Sequence, residues 1–387
     1  MARKILFILL GLVIVLALVL VGALFFVRSS ATTKTDGALT VAGLQSTVTV
    51  YRDQNGVPNI YADNTHDLFF AQGYVQAQDR LFQMDFQRRV GLGRLSEVLG
   101  EATLKTDQFL RTLGSGRAAA EDLAMLSDDT LAILQAYADG VNAFIAANPD
   151  KLPVEFRILG YTPEPWQPLH SVAWGKMMAW NLGGNWETEL MTAQLIEALG
   201  PEAAATLMAR YPEEGPFIIP PEVKSFAGLG QIDMSQVWAI KRLLKVNDPG
   251  VGSNNWVVAG SRTTTGMPLL ANDPHLGMQI PSVWYVNGLH GAGFDVVGVV
   301  FPGVPGVVIG HNSRIAWGVT NLGPDVQDMF IEKINPDNPN QYEFQGQWLD
   351  MQVIEEPILV KGRTEPVIQT VRITRHGPIM KDRKSVV

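Results

Sequence analysis

The chain has 387 residues, of which 47% are hydrophobic and 18% charged, enough apolar material for a large core and too much length for one average domain, which excludes a disordered protein. A formal net charge of -8 without any long Lys/Arg run removes the electrostatic basis for a nucleic-acid partner. Cysteine is absent, so disulfides, thiol nucleophiles and zinc–thiolate sites are excluded.

Residues 5–27 form an apolar run interrupted only by Gly11 and Gly22. At about 1.5 Å per helical residue such a run reaches across a hydrocarbon core of about 30 Å. Arg3 and Lys4 precede it and favour an inside N-terminus, while Arg28 and Lys34 on the far side weaken the asymmetry. Residues 1–28 are therefore expected to form a signal anchor, a transmembrane helix that makes the membrane a partner. The alternative is a cleaved secretory signal, and both put the remainder outside the cytoplasm, in the periplasm or at the cell surface.

A Ser/Thr/Ala-rich stretch over residues 29–43 reads as a polar stalk. Residues 47–52 alternate as a strand should, and Asn55-Gly56 with Pro58 marks the turn that ends it. Asn64-Thr65 can cap a helix in which Phe70, Tyr74, Ala77 and Leu81 recur at three-to-four spacing, opposite a face with Asp79, Arg80, Asp85 and Arg88. Further helical patterns cover 128–147, 171–181 and 188–209, making residues 44–210 mostly helical. Prolines and glycines from Tyr211 onward predict a connector over 211–252. Residues 253–387 read as strand-rich, with apolar runs at 256–259, 283–289, 295–301, 307–310 and 328–334 between Gly, Pro and Asn turns.

The hydrolase and nucleotide motifs G-x-S-x-G, S-x-x-K, H-E-x-x-H and the Walker loop are missing. What stands out is Asp248-Pro249-Gly250-Val251-Gly252-Ser253-Asn254-Asn255-Trp256-Val257-Val258, a hydroxyl between a glycine-rich turn and a buried-type strand. By itself Gly-Ser-Asn is an ordinary turn. Downstream come Ala271-Asn272-Asp273-Pro274-His275-Leu276, Leu289-His290-Gly291-Ala292-Gly293-Phe294-Asp295, Gly310-His311-Asn312 and Ala316-Trp317-Gly318-Val319-Thr320-Asn321. Upstream stand Arg52-Asp53-Gln54-Asn55-Gly56-Val57-Pro58 and Gly73-Tyr74-Val75-Gln76-Ala77-Gln78-Asp79-Arg80-Leu81. Together these blocks resemble the penicillin acylase family of N-terminal-nucleophile hydrolases over most of the chain beyond the anchor.

The resemblance implies an α+β fold, the four-layer αββα sandwich, incomplete at the C-terminus. It also implies a precursor that cuts itself between Gly252 and Ser253, giving α and β chains that stay together as a heterodimer. The chemistry fits: a serine hydroxyl needs a base, a free α-amino group has a pKa of about 7.7 to 8.0, and only an N-terminal serine carries both. Gly252 suits the cut because it lacks a Cβ and tolerates a strained turn. His275 matches a position that is glutamine or histidine beside the nucleophile; otherwise it is a structural histidine after Pro274. Asn321 matches the residue whose backbone N–H forms half of an oxyanion hole, so its side chain need not matter. The other half, a side-chain asparagine, is expected beyond Val387, making the sequence the N-terminal part of a longer precursor.

Leu276 and Ile309 match acyl-pocket positions of the family. Glu189, Asp325 and Asp328, with the backbone carbonyl of Gln327, match a calcium site of relatives; Glu187 competes with Glu189 for its place, and the aspartates can also be solvated turn residues. His290, His311 and His376 are given packing or hydrogen-bond roles. The implied activity is hydrolysis of a small-molecule amide, such as a penicillin-type side chain or an N-acyl homoserine lactone. The alternative is a membrane-tethered, calcium-stabilised binding or scaffold protein that kept the fold and lost the chemistry.

Overall fold

The computed structural model describes residues 2–30, 34–207, 239, 252–321, 323 and 326–380. Most of the connector expected over 211–252 therefore lies outside the described residues. Among the described residues every α-helix with described bounds precedes residue 208, Ala239 is also helical, and only the strands Thr49–Arg52 and Pro58–Tyr61 come before residue 254. Helices thus come mostly before strands along the described sequence. The chain forms two units, one of Met1–Arg88, Leu123–Ser171 and Trp284–Ile315, the other of Arg89–Asp122, Val172–Val283 and Ala316–Val387. Each unit combines early helices with late strands.

In the first unit, Thr49–Arg52 pairs antiparallel with Pro58–Tyr61, which runs parallel to Tyr285–Gly291. That strand pairs antiparallel with Phe294–Val300, which in turn pairs with Ile309–Asn312. Ile60, Leu68, Phe69, Val75, Ala136 and Leu289 form one core. The expected helix runs Thr65–Leu92, and another, Asp128–Ala147, starts where Ser127 Oγ accepts from Thr130 N. These two helices approach closely because both have glycine at the crossing. A Cβ on Gly73 would lie 2.1 Å from Tyr137 O, and one on Gly140 would lie 1.8 Å from Phe70 O.

Polar residues of the block 73–81 have structural partners. Gln76 Oε1 accepts from Tyr137 Oη at 2.5 Å and from Gly303 N at 3.1 Å. Asp79 accepts from Arg52 Nη1 at 2.8 Å and from Tyr285 Oη at 2.5 Å. Burial, together with the charge of Asp79, pushes the Tyr285 phenol well above its ordinary pKa, so it stays a donor.

The segment 5–27 lies within a helix, Ala2–Ser30, on which Phe7, Leu16 and Val21 are exposed. Among the described residues no helix is long and apolar enough to cross a membrane. The transmembrane anchor expected over residues 1–28 is not supported.

In the second unit, Leu104 packs on Ile358 and Val360, joining the helix Leu104–Leu113 to the antiparallel pair Gln352–Ile358 and Val367–Thr374. Glu356 on that pair faces Arg111, at 2.8 Å, and Arg117. The helix expected over 188–209 is two helices, Trp186–Leu199 and Pro201–Leu207, because Gly200 takes φ +79° between them and Pro201 opens the next. The strand expected over 328–334 is irregular apart from a bridge between Ile334 and Tyr342. Two of the nearby backbone donors go to side chains instead of a neighbouring strand: Gln327 N to Asn185 Oδ1 at 3.2 Å and Met329 N to Glu189 Oε2 at 3.1 Å.

Candidate active site

The hairpin formed by Asn254–Val258 and Leu269–Asp273 sets the site. Its register opposes Asn254 to Asp273, so the residue before the first strand, Ser253, and the turn after the second, Pro274-His275, meet at one end. Gly252 N donates to His275 O at 3.1 Å. The imidazole lies over Gly252, where a Cβ would come within 2.9 Å of Nε2. Imidazole Nδ1 is 3.0 Å from Asp273 O and 3.2 Å from Asp273 Oδ2. Both partners are acceptors, which assigns the hydrogen of a neutral ring to Nδ1 and leaves Nε2 with its lone pair toward Gly252.

Ser253 Oγ lies 2.5 Å from Thr320 Oγ1 and accepts from Asn321 N at 3.1 Å. Thr320 Oγ1 is also 3.2 Å from Ser253 O. Asn272 fastens the loop that carries these groups. Its Nδ2 donates to Asn254 O at 2.8 Å and Val319 O at 2.9 Å, while its Oδ1 accepts from Val319 N at 3.1 Å. The loop fits only because residue 318 is glycine, since a Cβ there would stand 2.7 Å from Asn272 Cβ. The Asn321 side chain, which need not matter for a backbone donor, holds the loop from the other side: Nδ2 donates to Leu182 O and Oδ1 accepts from Gly323 N at 3.0 Å. Thr320 and Asn272 had no assigned part in the sequence. Their only signal was membership of the blocks around Ser253, and a lone Thr or Asn in a loop has many uses.

The residues expected to bind calcium are partly assembled. Glu189 stands in the first turn of Trp186–Leu199 and accepts from Met329 N at 3.1 Å, next in the chain to Asp328. Gln327 Oε1 is buried without a hydrogen-bond partner, an unmet acceptor that a hard cation would satisfy. It lies 3.5 Å, and Glu187 Oε2 3.6 Å, from the point where a Cβ on Gly184 would be. Asp325 lies outside the described residues, and among the described residues no three His, Asp or Glu side chains converge as a metal site. Leu276 follows His275 in this unit, partly exposed. Ile309 belongs to the first unit, where it pairs with Val299 and is buried.

A mixed α and β chain that presents a serine at the head of a hairpin strand, against an imidazole and a backbone donor, has the parts of an acyl-transfer site. The chain belongs to the penicillin amidase family, whose model matches residues 47–387. It is 36% identical over 354 residues to penicillin acylase 2 proenzyme of Pseudomonas sp. (strain SE83), covering 89% of this chain and 45% of that protein. Acyl-homoserine lactone acylase QuiP of Pseudomonas aeruginosa is 33% identical over 362 residues, with 91% and 43% covered. Penicillin G acylase of Escherichia coli is 32% identical over 391 residues, with 87% and 46% covered. The chain thus spans less than half the length of these relatives. Among solved structures, thermostable penicillin G acylase from Alcaligenes faecalis in its tetragonal form is 32% identical with a TM-score of 0.38, covering 45% of this chain and 97% of that one.

Proposed function

We propose that the protein is a self-processing acylase that hydrolyses a small-molecule amide through Ser253. The observation that carries this reading is the placement of Ser253 Oγ: it accepts from Asn321 N at 3.1 Å, directly after a glycine whose Cα faces His275 Nε2. In processing, Ser253 Oγ forms a bond to the Gly252 carbonyl carbon, the Gly252–Ser253 C–N bond breaks, and the proton lost by Oγ ends on the Ser253 nitrogen. Water then hydrolyses the ester, leaving a Gly252 carboxylate and a free N-terminal serine. The new amino group serves as the base for the next reaction. Ser253 attacks the substrate amide, the amine departs with a proton, and water releases the acid from the acyl-enzyme.

His275 orients the serine and its amine. Asn321 N–H, bound to Oγ at rest, is the donor that meets the substrate carbonyl oxygen as charge develops, an effect commonly worth about 3 to 4 kcal/mol. Leu276 is proposed to contact the acyl group. Relatives named for penicillin and for acyl-homoserine lactone support those two classes of amide. The word proenzyme in one of these names supports processing of a precursor, and the two resulting chains are proposed to stay paired in a four-layer αββα sandwich. A calcium ion would be held by Glu189, Asp325, Gln327 and Asp328; the unmet Gln327 Oε1 supports it, and its role is structural. The apolar residues 5–27 support export from the cytoplasm.

The deciding experiment is Ser253→Ala in the full-length gene product, followed by gel analysis and N-terminal sequencing. A single uncut polypeptide is expected beside a wild type that yields a chain beginning at Ser253. Two chains in the alanine variant would assign the cut to another protease and remove the nucleophile.

A further inference from the structure

Thr320 remains unexplained once Ser253, His275 and Asn321 have their roles. Its Oγ1 touches Ser253 twice, at 2.5 Å from Oγ and 3.2 Å from the backbone O. A hydroxyl has one hydrogen to give. Ser253 O is a carbonyl and can only accept, so the longer contact takes the Thr320 hydrogen, and the shorter one must be filled by the hydrogen of Ser253. Asn321 N–H occupies one lone pair of Ser253 Oγ at 3.1 Å. The serine oxygen is then left with one uncommitted lone pair, and its own O–H is turned toward Thr320.

We propose that Thr320 is a positioning residue for both reactions of Ser253: by accepting the serine hydrogen and returning its own to the Ser253 carbonyl, it fixes the side-chain rotamer and aims the remaining lone pair. The proposal rests on Ser253 being the nucleophile. Ser253 is only partly buried, and a serine without this restraint can populate three staggered wells. Thr320 suits the task because its branched Cβ restricts its own rotation, and the neighbouring Val319 is fastened through Asn272 at 2.9 and 3.1 Å. In the self-cleavage step the proton of Ser253 still ends on the departing nitrogen, so Thr320 undergoes no net change of protonation.

The test uses the full-length gene product as wild type, Thr320→Val, Thr320→Ser and Ser253→Ala. The rate of appearance of the chain beginning at Ser253 is followed on gels, and kcat and KM are measured on the cleaved material. Thr320→Val is expected to slow self-cleavage and lower kcat by about ten- to a hundredfold with KM little changed, the size of effect that small misplacement of a reacting group produces. Thr320→Ser should recover most of the loss, because it keeps the hydroxyl.

Wild-type rates in Thr320→Val, with Ser253→Ala uncut, would overturn the role of Thr320 while leaving the nucleophile intact. Equal losses in the valine and serine variants would also overturn it, since they would point to packing of the methyl group. Should the valine variant fail to fold, Thr320→Ala replaces it, and equal rates for the alanine and serine variants are then the refuting result. Cleavage persisting in Ser253→Ala would instead refute the underlying reading.

Discussion

Asn272→Ala tests how the Ser253 end of the hairpin is fastened to the loop that supplies Thr320 and Asn321. The side chain makes three hydrogen bonds, to Asn254 O at 2.8 Å, to Val319 O at 2.9 Å and from Val319 N at 3.1 Å. Each such bond contributes about 0.5 to 1.5 kcal/mol net. Asn272 is half-buried, so water replaces part of what is lost, and a total near the lower end, about 1.5 to 3 kcal/mol, is expected. If that loss falls on the geometry of Ser253, with about 1.4 kcal/mol for each factor of ten, self-cleavage slows by about ten- to a hundredfold. Asn272→Asp should be worse than alanine, because a carboxylate keeps the acceptor but turns it toward the carbonyls of Asn254 and Val319. Gly318→Ala should act in the same direction, its Cβ meeting Asn272 Cβ at 2.7 Å and Cγ at 2.8 Å. The assay is the time course of cleavage in the full-length gene product, with thermal melting alongside. An alanine variant that cleaves at the wild-type rate and melts at the wild-type temperature would refute the clamp.

Gly140→Ala should destabilise the protein by about 3 kcal/mol or more, beyond ordinary overpacking, because its Cβ would stand 1.8 Å from Phe70 O; denaturant unfolding with an unchanged midpoint would contradict the tight crossing. At Asp67, burial opposes the charge, but hydrogen bonds from the backbone of Gln45 and Ser46 and the side chains of Asn64 and His66 outweigh it and lower the pKa. A lowered folded pKa gives stability that is present above the unfolded value of about 3.9 and lost as pH falls through the folded value. The melting-temperature gap between wild type and Asp67→Asn should accordingly be wide at neutral pH and close below about pH 4, and a gap independent of pH would be the contrary result. Chelation should lower the melting temperature of the full-length protein and added calcium should restore it; an unchanged curve with no calcium found by metal analysis removes the ion.

The helix Thr65–Leu92 was legible because its apolar spacing coincides with its burial: Phe70, Ala77 and Leu81 are all at or below 2% exposed. The strand Gln352–Ile358 was not, since Glu355, Glu356 and Pro357 break the expected apolar pattern. Glu356 is buried only because Arg111 and Arg117, far earlier in the chain, neutralise it, and no local window contains that pairing. The hairpin of Gln341–Phe344 and Gln347–Asp350 turns at Gln345-Gly346, where both residues have positive φ, 51° and 78°. Such a turn is announced by Asn-Gly or Asp-Gly, and glutamine conceals it.

At the site, legibility ends where hydrogen positions begin. Ser253, His275 and Asn321 could be picked from the sequence because their spacing matches a family pattern, and the hairpin register of Asn254 with Asp273 shows why Ser253 and His275 meet. The tolerance for a strained turn was one reason for glycine at position 252. The structure adds a reason of space, since any side chain there would run into His275 Nε2 at 2.9 Å. That contact ties residues distant in sequence together: with the ring beside the Gly252–Ser253 bond, a Cβ at position 252 would force the imidazole to shift. The same logic applies across the site, where Gly318 makes room for Asn272 and Asn272 fixes Val319. Glycines that a sequence reading treats as flexible joints here permit close approach, which gives a half-exposed serine a single orientation.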